Sequence, residues 1–215
     1  ELFSYHIFLF LIFLIGIFSD LNSIKSANKR FLLQAFTVLI CVVFNQMSIQ
    51  NTGIDLLDKI LFYKVFNYIF LTFCILVIIN GSNFIDGLNT LTIGYYISLI
   101  FIIFKLDLFQ IIGFETFKII YLLFILVFIF FINFLNKMFL GDSGSYLLGF
   151  VISILLISLY SKYSYISSFF VILLLWYPAF ENLFSIIRKI STKRSPLAPD
   201  QNHLHQLFFH YLYKK

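Results

Sequence analysis

Long uncharged apolar runs, separated by short polar or charged breaks, organise this chain. Marking every Asp, Glu, Lys and Arg leaves seven such runs, at 2–19, 31–54, 65–85, 87–104, 119–136, 143–161 and 163–180. A helix that crosses a hydrocarbon core needs roughly 20 apolar residues, with a usable range of about 17–25. Apolar residues are continuous in FLFLIFLIGIF and YLLFILVFIFFI, so the period-2 alternation of an outer-membrane barrel is absent. Backbone groups in lipid must be satisfied within their own segment, so the runs are expected to be helices. The pattern predicts an all-α, polytopic integral-membrane helix bundle of about seven transmembrane helices, with an eighth candidate at Leu204–Tyr213.

Composition agrees with that reading. Of 215 residues, 61% are hydrophobic, 21% aromatic and only 12% charged, whereas a soluble domain carries roughly 25% charge. This excludes a soluble globular domain, a disordered chain and a secreted disulfide scaffold. Cys41 and Cys74 both fall inside spans and read as packing residues. No internal repeat or linker divides the chain, so a single membrane domain over 1–215 is expected. The segment 2–18 lacks the basic start and small-residue cleavage site of a signal peptide. The chain begins at Glu1 and stops soon after its most polar segment, so a fragment or a shortened member of a larger family is expected.

The net charge of +5 matters less than its placement. If the loops alternate sides, one side holds Lys25, Lys29, Arg30, Lys137, Arg188, Lys189, Lys193, Arg194, Lys214 and Lys215. The other holds Lys59, Lys64, Lys105, Lys118 and Lys162. Positive residues accumulate on the cytoplasmic side, so the first side is expected to face the cytoplasm. The 188–194 cluster reads either as an anchor near anionic lipid or as a phosphate-binding group.

Four polar islands persist in the apolar sequence, all on that side. The first ends a span at Ser19-Asp20; taken alone, Asp20 reads as a boundary acid, solvated or paired with Lys25. The second, Asn80 to Thr90, concentrates Asn83, Asp86, two glycines and a serine between two spans, more than a tight turn requires. The third is Gly141-Asp142-Ser143-Gly144-Ser145 at the start of a span. It reads as an N-cap by Asp142 or Ser143, or as a helix N-terminus that takes phosphate oxygens. An acid beside phosphate makes sense with a divalent cation between them. The fourth, 195–206, has two prolines, Asp200 and the pair His203 and His205. By residue type alone it is a solvated loop, a metal pair or a phosphate contact.

Taken in order, the islands resemble the polyprenyl-phosphate N-acetylhexosamine-1-phosphate transferases, integral-membrane enzymes that begin bacterial cell-wall and surface-polysaccharide assembly. The matching segments are IGIFSD with KRFLLQ, NGSNFIDGLNTL, FLGDSGSYLLG and SPLAPDQNHLHQ, from about residue 10 to residue 210. The sequence departs from the family pattern at Ser19, Asn89, Thr90 and Gln206, and family members carry further spans before the first motif and after the last.

The resemblance implies transfer of an N-acetylhexosamine 1-phosphate from a UDP-sugar to polyprenyl (undecaprenyl) phosphate, with release of UMP. It makes Asp142 and Asp86 the expected ligands of Mg²⁺, with Mn²⁺ as a substitute. It makes Asp20 the group that contacts or deprotonates the lipid phosphate, and gives Asp86 a catalytic part as well. Asn83, Lys137, Arg194, Asp200, His203 and His205 are the expected substrate-binding residues. The expected partners are the UDP-N-acetylhexosamine, the polyprenyl phosphate, the bilayer and a second copy in a homodimer, with no nucleic acid. The expected location is the cell membrane, multi-pass, with the active site facing the cytoplasm. A membrane transporter and a non-catalytic or fragmentary relative are the competing readings.

Overall fold

The computed structural model describes residues 2–106, 115–163, 165–193 and 203–213. Among them the regular elements are all helices: α1 (Leu2–Asp20), α2 (Ala27–Phe44), α3 (Asp55–Leu61), α4 (Lys64–Ile85), α5 (Leu91–Lys105), α6 (Glu115–Phe134), α7 (Gly141–Lys162), α8 (Ser168–Leu174), α9 (Trp176–Ser191) and α10 (Leu204–Tyr213). The chain is an all-α, multi-pass membrane bundle. α4 and α7 form its centre. α7 packs on α1 and α4, and α4 packs on α2, α7 and α9. One apolar cluster joins α1, α2, α4 and α7 through Ile12, Val38, Ile75 and Phe150. Another joins α5, α6, α7 and α8 through Ile100, Leu126, Ile152 and Leu174. Large side chains such as Phe36, Phe66, Phe124 and Phe128 point outward and are exposed. An apolar exterior of this extent belongs in lipid rather than water.

The apolar runs differ in how they are built as helices. Among the described residues three helices are long and apolar enough to cross a membrane: α2, α4 and α7. The helical parts Tyr5–Asp20, Leu91–Lys105 and Ile120–Phe134 are apolar but shorter. The run 31–54 does not continue as helix beyond Phe44; it turns at Asn45 and Gln46, the latter with φ +49°. The run 163–180 is divided into α8 and α9, which meet at a 78° bend around Leu175. Pro178 accounts for the bend locally. It has no N–H for the carbonyl of Leu174, four residues earlier, and it is tolerated only within a first helical turn. The hydroxyl of Tyr95 donates to that orphaned carbonyl at 2.7 Å.

The bend turns α9 inside out relative to a soluble amphipathic helix. Its polar residues Glu181, Asn182, Ser185 and Lys189 are buried, while Phe180, Phe184, Ile187 and Ile190 are exposed. Gly81 makes the α4–α9 approach possible. A Cβ there would lie 2.1 Å from the Pro178 carbonyl oxygen. Asn182 Nδ2 then donates to Val77 O at 2.9 Å, which locks the pair. The result places the end of α1, the starts of α2, α5 and α7, the end of α4 and the polar face of α9 at one end of the bundle.

Candidate active site

Asp142 is the hub of that end. It sits in the first turn of α7, a quarter exposed, and both carboxylate oxygens are engaged. Oδ2 pairs with Arg30 Nη1 at 2.9 Å and accepts from the Ser19 hydroxyl. Tyr146 OH donates to the same oxygen at 3.3 Å. Oδ1 accepts from Asn83 Nδ2 at 2.6 Å. Four helices thus send one side chain or more to a single carboxylate: α1, α2, α4 and α7 itself. Arg30 also donates to Ser19 Oγ, so Ser19 bridges the ion pair.

Asp142 does not cap its own helix, which corrects the local N-cap reading. α7 receives no capping bond from its N-cap residue, Leu140. The cap comes from another helix. Asp20 Oδ1 accepts from the backbone N–H of Asp142 at 2.9 Å, and Asp20 Oδ2 from that of Ser143 at 3.0 Å. A negative group at a helix N-terminus satisfies orphaned amides and complements the helix dipole. Two glycines permit it. Gly16 lets α1 lie on α7, since a Cβ there would be 2.3 Å from Ser143 Cα. Gly141 adopts φ +66°, and a Cβ there would crowd the Asp20 carboxylate.

The Asn80–Thr90 segment lies against this hub. Asn80 Nδ2 donates to Gln34 Oε1 at 3.1 Å, and Asn83 reaches both Asp142 and, at 3.2 Å, Ser145 Oγ. The following turn is tied to the end of α6, where Asn133 accepts from the Thr90 amide and Asn136 accepts from Asn89. Asp86 is partly buried just beyond α4, and its carboxyl is pushed up from 3.8 to about 7. Burial is the main cause, and the negative charges of Asp142 and Asp20 add to it. Asp142 and Asp20 therefore both lie close enough to act on Asp86 at this end of the bundle.

The histidines meet the same segment. His203 stacks on Phe84 with ring centroids 5.0 Å apart, and on His205 at 5.9 Å. Its Nδ1 lies 3.0 Å from Glu181 Oε2. His205 packs against Gly87, where a Cβ would fall 2.3 Å from its Nε2, and its Nδ1 is 3.3 Å from Tyr177 OH. Lys137 is exposed in the α6–α7 turn at this end. Arg194 and Asp200 lie outside the described residues. Sequence reasoning missed Arg30 as a partner of Asp142, and missed Glu181 altogether. The signal for Glu181 was its position. It is the one acid between 143 and 199, and buried glutamates are rare unless paired.

A divalent cation at this end would have to be held by few protein groups. No group of three or more His, Cys, Asp or Glu among the described residues is arranged as a closed metal cage. Mg²⁺ does not need one, because it commonly takes one or two carboxylates and keeps several waters. Asp86 and Asp142 are the residues that would hold it, and Asp86 is a carboxyl raised mainly by burial with two further acids acting on it.

An apolar cleft of about 360 Å³ runs from the middle of the bundle toward the end opposite the hub, where Ile49, Thr52 and Tyr160 line it. Phe73 and Ile78 of α4, Leu156 of α7, Ile172 of α8 and Leu183 of α9 line it. Its lining residues nearest the hub are Ile78 on α4, roughly 8 Å along the helix from Asn83, and Ser153 on α7, roughly 16 Å from Asp142. A larger cavity of about 460 Å³, lined by Gln50, Asp58, Lys64 and Asn67, lies at the opposite end and contains none of the three acids.

Comparison with known proteins matches residues 2–160 to the family described as glycosyl transferase family 4. Among curated relatives, a "probable undecaprenyl-phosphate N-acetylglucosaminyl 1-phosphate transferase" of Bacillus subtilis is 31% identical over 204 residues, covering 91% of this chain and 55% of the relative. An undecaprenyl-phosphate alpha-N-acetylglucosaminyl 1-phosphate transferase of Thermotoga maritima is 27% identical, covering 92% of this chain and 58% of the relative. A decaprenyl-phosphate N-acetylglucosaminephosphotransferase of Mycolicibacterium smegmatis is 28% identical, covering 74% and 43%. The chain spans about half the length of the curated relatives it matches. No solved structure matches it significantly.

Proposed function

We infer that this chain, which belongs to glycosyl transferase family 4, transfers an N-acetylhexosamine 1-phosphate from a UDP-sugar to a polyprenyl phosphate and releases UMP. The observation that carries this reading is the convergence on Asp142. A carboxylate held by Arg30, Asn83 and Ser19 sits in the first turn of a helix, with Asp20 and Asp86 at the same end of the bundle. The names of the relatives support N-acetylglucosamine as the first sugar to test.

In the reaction, an oxygen of the lipid phosphate attacks the sugar-linked phosphorus. The bond from that phosphorus to the bridging oxygen breaks, and UMP leaves with the electron pair. Three phosphate groups must approach one another, and their repulsion is large in a partly dry site. Asp142 and Asp86 would hold Mg²⁺, or Mn²⁺ in its place, which supplies charge neutralisation at the diphosphate oxygens. Asn83 fixes the orientation of Asp142 through Oδ1. Arg30 holds Oδ2, and a guanidinium beside that carboxylate is placed to receive a phosphate oxygen. Asp20 anchors the Asp142 turn, and its exposed carboxylate is the candidate contact for the lipid phosphate. His203 and His205 contact the nucleotide diphosphate, with Lys137 and Arg194 countering phosphate charge and Asp200 beside the histidines. The apolar cleft fits an isoprenoid chain. The basic residues of α2 and α9 gather at this end, which supports a cytoplasmic opening, where nucleotide sugars are available.

The test is a panel of UDP-sugars added to membranes that contain the protein and undecaprenyl phosphate. The expected result is UMP release with a lipid-linked sugar diphosphate, fastest with UDP-N-acetylglucosamine. Uptake of a solute with no UMP release would favour the transporter reading instead.

A further inference from the structure

Glu181 is a charged residue that the transfer chemistry does not use. It is 2% exposed, in the middle of a helix whose neighbours are apolar or polar but uncharged for a full turn on either side. A carboxylate in such a place costs several kcal/mol unless it is paired and hydrogen-bonded. It has both partners. Oε2 takes the Nδ1 side of His203 at 3.0 Å, and Oε1 accepts from the backbone N–H of Leu204, the first residue of α10, at 2.8 Å. One carboxylate therefore holds an imidazole and the first amide of the helix that follows it.

The ring has no freedom left. His203 is 4% exposed and lies between Phe84 and His205, nearly parallel to the latter with 3° between the planes. Lys189 Nζ, further along the same buried stripe of α9 as Glu181, sits over the Phe84 ring at 5.4 Å. Phe84 follows Asn83, whose amide holds Asp142. The column of rings is thus fastened at one edge to the acid hub and at the other to Glu181.

We propose that Glu181 is a positioning residue for substrate binding: it takes the Nδ1–H of His203 and so commits Nε2 to the diphosphate of the nucleotide sugar. This rests on the transfer reading and assigns a device to it. With Nδ1 occupied, Nε2 is the ring nitrogen left to meet a ligand. Bonded to a phosphate oxygen it must carry a proton, and the carboxylate on the far side of the ring balances the resulting positive charge, as acidic partners do for ligand histidines elsewhere. Glu181 also starts α10, so the segment that carries both histidines is held to α9 by the same group.

The test separates positioning from folding. Glu181→Gln keeps the size and an acceptor for Nδ1–H but removes the charge. Its KM for the UDP-sugar is expected to rise about tenfold, with the KM for polyprenyl phosphate and the unfolding temperature little changed. Glu181→Ala loses the acceptor as well and is expected to be worse. An unchanged UDP-sugar KM in a folded, active Glu181→Gln protein would overturn the proposal, and so would equal losses for both substrates. Nitrogen-15 spectra of histidine-labelled wild-type protein, assigned with His203→Gln, do not depend on any Glu181 variant folding. They are expected to show His203 protonated at Nδ1 and its Nε2 signal shifted by UMP. An unprotonated Nδ1, or no response to UMP, would overturn it. If the wild type transfers nothing, the transfer reading fails, and the UMP titration still decides the role of Glu181.

Discussion

Asp20 and Asp142 meet through main chain rather than through their carboxylates: Asp20 Oδ1 accepts the amide N–H of Asp142 at 2.9 Å. Two acids 122 positions apart are thereby brought side by side while their charges point in different directions. One fixes the helix start, and the other is presented by it.

Removing that cap has a defined consequence. Asp20→Ala strips the acceptors from the amides of Asp142 and Ser143 and should lower stability by about 1 kcal/mol, the typical value of a lost N-cap. Asp20→Asn keeps one carbonyl acceptor and should lose less. Thermal unfolding in detergent measures the order. Equal unfolding temperatures for the wild type and Asp20→Ala would show that the cap is not a stability element.

The α1–α7 contact is tested at Gly16. The atom that an added methyl would meet is backbone, Ser143 Cα at 2.3 Å, so no side chain can yield. Gly16→Ala should force α1 away from α7, at a cost of about 1–3 kcal/mol for an overpacked site, and release the Asp20 cap. The expected readout is a lowered unfolding temperature together with loss of transfer. A fully active, equally stable Gly16→Ala protein would contradict the packing.

Asp86 makes stability depend on pH. In the folded protein its carboxyl holds a proton up to about pH 7, whereas an ordinary aspartate releases it near 3.8. Between those values the folded state binds the extra proton, so without divalent cations stability should fall as pH rises through that window and level off above it. Asp86→Asn removes this dependence. Its unfolding temperature should gain on the wild type between about pH 4 and pH 7, and parallel curves would refute the raised carboxyl.

Thr90 adopts φ +67° at the start of α5. A β-branched residue is strained in the left-handed region, by roughly 1–2 kcal/mol, and glycine is not. Thr90→Gly should therefore raise the unfolding temperature while keeping the amide bond to Asn133. A drop on substitution would mean that the Thr90 hydroxyl contributes more than the strain costs.

The distribution of charge made the membrane class and most helices legible in the sequence, because an apolar run of span length has few other uses. Asp142, Asn83 and Asp86 were legible for the opposite reason, as polar groups set in a chain that otherwise avoids them. The bend at Leu175 was not. A run without charges cannot tell a straight helix from a broken one, and the break depends on Tyr95, distant in sequence, reaching the carbonyl that Pro178 abandons. The cap on α7 was invisible because Gly141 to Ser145 contains two plausible local caps and the actual one comes from α1. Arg30 read as a topology charge, since nothing near it in sequence points to Asp142. Glu181 escaped because its partner lies 22 residues on, beyond a segment rich in proline.

The account depends most on the Asp142 carboxylate as the anionic group that the site is built to present. The measurement that addresses it is lipid-linked sugar phosphate formed from UDP-N-acetylglucosamine and undecaprenyl phosphate as Mg²⁺ is titrated, for the wild type and Asp142→Asn at equal membrane levels. The account predicts Mg²⁺-dependent product from the wild type, and none from Asp142→Asn, which keeps the size of the side chain but not its charge. Undiminished, Mg²⁺-dependent product from Asp142→Asn would contradict it.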